Sequence, residues 1–109
     1  MTARPANLFE AVPIGRPEEE TLELAAGEGV RIERIVSCGH ASPPGFWFDQ
    51  DRPEFVLLLQ GNAAVAFEDG PCVQLRAGDH LTIAAHARHR VAWTSSDPPA
   101  IWLAVHYRD

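Results

Sequence analysis

Two residues, Glu54 and His89, have the side chains that acid–base chemistry and metal binding require. Glu54 begins the apolar run Glu54–Gln60, so strand alternation places its carboxyl group on an otherwise apolar face. Such a group must be paired, protonated or bound to a cation, because an isolated buried charge is costly. The same alternation puts His89 on one face with Val91 and Trp93. An imidazole nitrogen and a carboxylate oxygen together suit a divalent Zn, Ni, Fe or Mn ion.

Two ligands alone make a poor metal site, so further donors are needed. The candidates to complete the set are Gln50 or Asp49, His86, His106 and His40. The alternative is a buried, hydrogen-bonded pair of Glu54 and His89 that holds no metal.

A second group of residues could form a ligand pocket. Its members are Phe46, Trp47, Phe48, Val56 and Trp93. Aromatic side chains at the mouth of a small barrel can close an apolar pocket, and the alternative is that they pack in the core.

Other chemistries find little support. The serines show no nucleophile elbow, and the glycines stand singly in turns and form no phosphate loop. The net charge is −6, and all nine basic residues are arginines that do not cluster along the chain. Because phosphate-backbone binding needs concentrated positive charge, we expect no nucleic-acid partner.

The size and composition of the chain are those of one soluble domain. It has 109 residues, of which 46% are hydrophobic and 22% are charged. No apolar run approaches the roughly 18 residues of a membrane span, and the N-terminus lacks the hydrophobic stretch of a secretory signal. We therefore expect a cytoplasmic protein with no membrane partner. Cys38 and Cys72 are too few for a disulfide framework.

Prolines and glycines divide the chain into short pieces with turn signals between them, which predicts an all-β sandwich or barrel. The predicted strands are Thr21–Leu24, Gly29–Ser37, Glu54–Gln60, Ala63–Glu68, Cys72–Arg76, His80–Ala84, Arg88–Thr94 and Ala100–Tyr107. Residues 1–28 are expected to form an N-terminal extension, in which Ala6–Val12 is a short helix or strand. Residues 29–109 are expected to form the barrel.

Two strands carry irregular patterns. Val30, Ile32 and Ile35 share one face only if the register slips, so we expect a bulge or bend near Glu33. The run Phe55–Leu59 is apolar on both faces, which predicts a central strand covered on its second side by a sheet or a partner subunit. A small barrel with this strand and three tryptophans predicts a homodimer that buries Phe55, Leu57, Leu59 or the N-terminal segment.

Two segments resemble the signature motifs of the cupin superfamily. They are Ser42-Pro43-Pro44-Gly45 followed by Glu54 and Gly61, and the segment from Gly78-Asp79 to His89. The spacing of Glu54 to Gly61 matches the end of the first motif, and the spacing of Gly78 to His89 matches the second. The resemblance covers roughly residues 29–107 and implies a double-stranded β-helix, the cupin jelly-roll barrel.

The sequence also departs from the cupin pattern. The usual metal ligands of the family are three histidines and a glutamate, and only Glu54 and His89 match them. In place of the paired histidines of the first motif stand Phe48 and Gln50, Trp47 and Asp49 or, with a gap, Gly45 and Trp47. In the second motif, His86 replaces the glycine of the usual Pro-x-Gly turn.

These observations support two hypotheses. In the first, a small cupin binds a divalent transition metal through Glu54, His89 and non-standard ligands, and uses it on a small organic molecule. The resemblance implies oxygenation, isomerisation or decarboxylation, and the fold does not choose among them. In the second, a metal-free cupin holds a small ligand without catalysis, as a binding or sensory protein. The absence of two of the four usual metal ligands favours the second hypothesis. The other histidines could take the place of the missing ligands, which favours the first.

Overall fold

Eight β-strands make up the regular structure of the chain in a computed structural model that describes residues 3–108. The strands are β1 (Glu20–Gly27), β2 (Val30–Ser37), β3 (Glu54–Gln60), β4 (Asn62–Phe67), β5 (Cys72–Arg76), β6 (His80–Ile83), β7 (His89–Thr94) and β8 (Ala100–Tyr107). Residues 3–108 contain no helix, and the predicted all-β class is confirmed. The alternating residues and turn signals between Glu54 and Tyr107 located these strands to within one or two residues.

The strands form two antiparallel sheets in a jelly-roll barrel. The larger sheet has the order β1-β2-β8-β3-β6, and the smaller has the order β5-β4-β7. A core of small and branched residues fills part of the space between the sheets, with Leu58, Ala63 and Ala104 fully buried. At the turn between β3 and β4, Gly61 has a φ of +85°, and a Cβ there would lie 2.6 Å from Oγ of Ser95. Only glycine fits this turn.

The register of β2 differs from the expectation. β2 pairs with β8 without interruption, and the irregularity lies in β1, between Glu23 and Ala25. Simple alternation therefore holds along β2, so Arg31 and Glu33 face the barrel interior together with Ile35. The expected bulge near Glu33 is wrong because apolar residues were assigned to the interior, whereas this barrel places a charged pair there.

The N-terminal segment (residues 3–19) packs along the outer face of the large sheet. It forms neither the helix nor the strand expected over Ala6–Val12, and β1, which lies within the expected extension, pairs with β2. Arg34 is 4% exposed and holds this segment through bonds from its guanidinium to the carbonyl oxygens of Leu8, Glu10 and Ala11. A salt bridge of 2.7 Å to Glu20 balances its charge.

β3 is an interior strand of the large sheet, between β8 and β6. Val56 and Leu58 face the core, whereas Phe55, Leu57 and Leu59 are only half-buried. Glu54 stands at the start of this strand on the core-facing side, as the alternation predicts, and so enters the space between the sheets.

Candidate functional site

A cavity of about 240 Å³ opens between the two sheets. Its apolar wall includes Ile35, Phe48, Val56, Val65, Ile83 and Trp102, and its polar residues include Arg31, Glu33, Gln50, Glu54, His89 and His106. Six strands, from both sheets, contribute these side chains together with the segment that precedes β3. Concave, largely apolar space with a few converging polar groups is the usual form of a small-molecule site.

The carboxyl group of Glu54 is the most perturbed titratable group of the site. Glu54 is 7% exposed, and desolvation by burial raises its pKa above the usual value, with partial opposition from His106 and His89. Its Oε1 lies 4.0 Å from Nε2 of His89, and its Oε2 lies 3.5 Å from Nε2 of His106. Both distances exceed that of a good N–H···O hydrogen bond. The carboxyl group is therefore held beside two imidazoles and open to a further partner.

His89, at the start of β7, is oriented by a backbone contact. Its Nδ1 lies 2.7 Å from the carbonyl oxygen of Ala87, which can only accept, so Nδ1 carries a hydrogen. In the neutral ring, Nε2 then presents its lone pair toward Glu54. The ring of Phe48 stacks on the imidazole with centroids 5.4 Å apart and an angle of 26°. Two backbone hydrogen bonds, of 2.7 and 3.1 Å, join Phe48 to His89 and fix this arrangement.

A second carboxylate, Glu33, has a hydrogen-bond donor at each oxygen, whereas the imidazole nitrogens nearest to Glu54 lie 3.5 and 4.0 Å away. Nε2 of His106 donates to Oε1 of Glu33 at 3.0 Å, and Nε of Arg31 donates to Oε2 at 3.0 Å. Both oxygens of Glu33 thus have a donor, one from the guanidinium of Arg31 and one from the imidazole of His106. The carboxyl oxygens of Glu54 lie farther from their nearest imidazole nitrogens, so the two carboxyl groups of the site differ in their surroundings.

Sequence reasoning missed Glu33 and Arg31 as cavity residues. The signal was available, since unbroken alternation in Arg31-Ile32-Glu33-Arg34-Ile35 places Arg31, Glu33 and Ile35 on one face. It was passed over because the apolar residues were taken as the inner set.

The structure brings four of the candidate metal ligands together. Glu54, His89, His106 and Gln50 all line the cavity. His86 does not, because it lies on the surface turn before β7, where its side chain is 68% exposed and its Nδ1 contacts Oδ1 of Asp49 at 2.8 Å. Its φ of +63° is the conformation that the glycine of the cupin turn would adopt easily.

The other candidate donor, His40, uses both ring nitrogens in hydrogen bonds to the backbone. Its Nδ1 accepts from the backbone N–H of Cys38 at 2.9 Å, and its Nε2 donates to the carbonyl oxygen of Arg16 at 2.8 Å. Nδ1 thus fixes the ring within the loop after β2, and Nε2 holds the N-terminal segment at Arg16.

Of the expected pocket residues, Phe48 and Val56 line the cavity, whereas Phe46, Trp47 and Trp93 do not. Trp93 is displaced because β7 has an irregularity: Val91 pairs with Val65, but Trp93 pairs with Ala64. The residue between Val91 and Trp93 has no partner on β4, and this extra residue turns Trp93 outward, where it is 40% exposed. Phe46 is 42% exposed and contacts the ring of Phe48 edge-on, so it supports the cavity wall from outside.

The fold and the site define a small β-barrel with an interior cavity and a buried acid–imidazole cluster. The family model described as Cupin domain matches residues 38–106, well over half of the chain. This chain belongs to the cupin superfamily.

Solved structures agree with this assignment. A protein from Ralstonia eutropha JMP134, provisionally named a mannose-6-phosphate isomerase, superposes with a TM-score of 0.93 at 44% identity, covering 98% of this chain and 100% of that one. A cupin superfamily protein from Desulfitobacterium hafniense DCB-2 superposes with a TM-score of 0.79 at 21% identity, covering 100% of this chain and 94% of that one. The search of curated proteins gave no match. Within residues 3–108, no helix is long and apolar enough to cross a membrane.

The residues present do not reproduce the four-ligand metal site of the family. Phe48 and Gln50 line the cavity where the paired histidines would stand, and a phenyl ring cannot ligate a metal. Nε2 of His106, the one further imidazole nitrogen at the cluster, is held by Glu33. Among residues 3–108, no three His, Cys, Asp or Glu side chains converge as a metal site. A metal that bound Nε2 of His106 together with Glu54 and His89 would displace the hydrogen bond of His106 to Glu33.

Proposed function

We propose that the barrel cavity binds a small hydroxy-carbonyl compound and that Glu54 transfers a proton to and from it. The observation that carries this proposal is the raised pKa of the Glu54 carboxyl group, caused by burial in an apolar wall beside two imidazoles. A pKa raised toward neutrality makes a carboxyl group a better general acid–base at ordinary pH. The name of the Ralstonia eutropha relative supports isomerisation as the form of this chemistry.

The side chains suffice for a proton-transfer isomerisation. The ionised Glu54 takes the proton from the carbon next to the carbonyl group, and the C–H electrons form a carbon–carbon double bond. The Nε2–H of His106, which turns from Glu33 to the bound ligand, supplies a proton to the carbonyl oxygen, which receives the displaced π electrons. The enediol then returns its other hydroxyl proton to His106, and Glu54 delivers its proton to the former carbonyl carbon. Glu33 contributes by holding the His106 ring, at 3.0 Å.

The test is hydrogen exchange on D-mannose 6-phosphate in D₂O, followed by NMR with wild-type protein and with Glu54→Gln. We expect wild type to incorporate deuterium at C2 or to form the ketose, and the variant to be slower by about 10² or more, the usual size of a general acid–base contribution. Glu68→Gln is the matched control, because Glu68 is a partly exposed surface carboxylate paired with Arg88. Equal rates for Glu54→Gln and wild type would overturn the role of Glu54. Binding without exchange would support the non-catalytic binding protein instead.

A divalent metal is the second candidate, and one observation favours it. The contact of Nδ1 of His89 with a carbonyl oxygen is the kind of outer contact that orients metal-binding histidines, and it directs Nε2 at Glu54. The donor set of Glu54, His89 and His106, two imidazoles and one carboxylate, would suit Fe, Zn, Mn or Ni. The metal content of wild type and of His89→Ala decides between the two candidates.

A further inference from the structure

A second, more polar pocket of about 490 Å³ adjoins the cavity. It lies between the β1–β2 turn and the segment that precedes β3, and we call it the outer pocket. It is lined by Gly27, Arg31, Gln50, Asp51, Arg52 and His106, among others. Arg31, Gln50 and His106 line both spaces, so one elongated molecule can reach from the outer pocket to the Glu54 side of the cavity.

The two spaces differ in their charged groups. The cavity is lined by three carboxylates, those of Glu19, Glu33 and Glu54, against the single guanidinium of Arg31. The outer pocket has the guanidiniums of Arg31 and Arg52 against the one carboxylate of Asp51. These two arginines are 21 positions apart in sequence, which explains why no basic cluster is visible along the chain.

The guanidinium groups of Arg31 and Arg52 both have N–H donors that are available to a ligand. Arg31 uses Nε for Glu33, which leaves the N–H groups of its two terminal nitrogens for another acceptor. Arg52 is exposed, and within residues 3–108 its side chain makes no ion pair or hydrogen bond. Opposite them, Gly27 presents only backbone. The whole chain carries a net charge of −6, so an anion would be repelled elsewhere and attracted here by local charge.

We propose that the outer pocket binds the anionic head group of the ligand, a phosphate ester or a carboxylate, through Arg31 and Arg52. The planar, forked guanidinium matches both groups with paired hydrogen bonds. The carboxylates of the cavity repel the head group, which leaves the uncharged, hydroxylated end of the molecule beside Glu54. This assignment rests on the proposed function for its inner end only, since the outer pocket can be tested with simple anions.

The experiment is an NMR titration of ¹⁵N-labelled protein with inorganic phosphate and, separately, with acetate, at constant ionic strength. We expect amide shifts confined to residues 26–31 and 50–52. Arg52→Gln should weaken binding about tenfold, the effect of losing a charge-assisted contact. Arg76→Gln is the matched control, because Arg76 is an exposed arginine that lines neither pocket. It should bind within twofold of wild type. Phosphate alone, acetate alone or both binding in this way supports the proposal and identifies the head group.

Two outcomes overturn it: no shifts at residues 26–31 and 50–52 with either anion, or equal affinities for Arg52→Gln and wild type. Glu54→Gln separates this proposal from the proposed function. If the variant binds phosphate normally but wild type exchanges no hydrogen on D-mannose 6-phosphate, the anion pocket stands and the acid–base role fails. If phosphate instead shifts the amides of Val65 and Ile83 in the cavity wall, the anion enters the cavity and the outer pocket is not its site.

Discussion

Nε2 of His106 donates a 3.0 Å hydrogen bond to Oε1 of Glu33, and the same nitrogen lies 3.5 Å from Oε2 of Glu54. One imidazole nitrogen thus stands between a carboxylate with two donors and a carboxyl group whose pKa burial raises. The three residues come from β2, β3 and β8, which are neighbours in the sheet order. Strand pairing places His106 opposite Glu54, so the contact follows from the register of the barrel.

Removing the Glu33 carboxylate should destabilise the protein. Glu33→Ala leaves the N–H groups of Arg31 and His106 without their acceptor. The expected loss is about 1–3 kcal/mol of unfolding free energy, the cost of leaving the largely buried N–H of His106 unsatisfied, since the half-exposed Arg31 can bond to water instead. Urea unfolding measures this loss. Glu33→Gln keeps an acceptor oxygen and should lose less. If the two variants are equally stable, the hydrogen bonds to Glu33 do not contribute in this way.

Glu54 should make stability depend on pH. Because its folded-state pKa is raised above the unfolded value, the folded protein binds this proton more tightly, and stability falls as pH rises from the ordinary carboxyl range through the raised pKa. Glu54→Gln cannot ionise, so its unfolding free energy relative to wild type should increase over that window and level off above it.

Urea unfolding of both proteins at a series of pH values, with chelator present, checks this expectation. Glu68→Gln serves as the control, because Glu68 is a partly exposed surface carboxylate outside the cavity. A stability difference between Glu54→Gln and wild type that stays constant with pH would mean that Glu54 ionises without penalty.

Much of the fold was predictable from sequence because turns and alternation are local signals. Asp69-Gly70 lies between the apolar segments that became β4 and β5, and the structure pairs those strands antiparallel. The orientation of Glu54 followed from its position at the start of an apolar run. The N-terminal segment was not predictable, because its path depends on Arg34, whose bonds to Leu8 and Glu10 span more than 20 residues.

The site was predictable only in part, for a physical reason. Glu54, His89 and His106 were named because a polar side chain on an apolar strand face must find a partner. Trp93 was placed inside because alternation was assumed to hold through β7, and one irregular pairing reverses it. The pairing of Glu33 with His106 joins residues 73 positions apart, and only the sheet order shows it.

The homodimer stays a prediction, and the outer face of the large sheet is where we expect it. Cross-strand pairing places Ile32, Val105 and Phe55 in one row, and Leu103 and Leu57 in the next. All are half-buried, and at the sheet edge Leu22 and Leu24 remain 46% and 42% exposed. The N-terminal segment covers Arg34 on this face and leaves the apolar side chains beside it for a partner. Apolar surface of this kind commonly marks a protein interface, and a second copy related by a twofold axis would cover it.

Sedimentation at micromolar concentration tests the dimer. Wild type should sediment at twice the 12.0 kDa chain mass. Leu57→Glu should give the monomer, because it places a charge in the contact. Trp93→Glu, on an exposed position of the small sheet, should remain dimeric. A wild-type species at the chain mass would contradict the prediction.

His89→Ala separates the metal candidate from the metal-free cluster. If Glu54 and His89 hold a divalent ion, the substitution should abolish stoichiometric metal, because too few donors remain. Folding should largely survive. If no metal binds, the substitution changes no metal content. It removes the imidazole beside Glu54 and the stacking partner of Phe48, at an expected cost of about 1–3 kcal/mol for the lost polar partner.

Elemental analysis of protein purified without a histidine tag, combined with melting temperatures with and without chelator, gives the answer. His86→Ala is the control, because His86 is an exposed histidine outside the cavity and its loss should leave metal content unchanged. Metal in wild type and in His86→Ala, but not in His89→Ala, supports binding at Glu54. Wild type that takes up none of Zn, Ni, Mn or Fe(II), and melts at the same temperature in chelator, would leave Glu54, His89 and His106 as a metal-free cluster. In that case no metal competes with Glu33 for His106, and the 3.0 Å hydrogen bond between them is the arrangement of the free site.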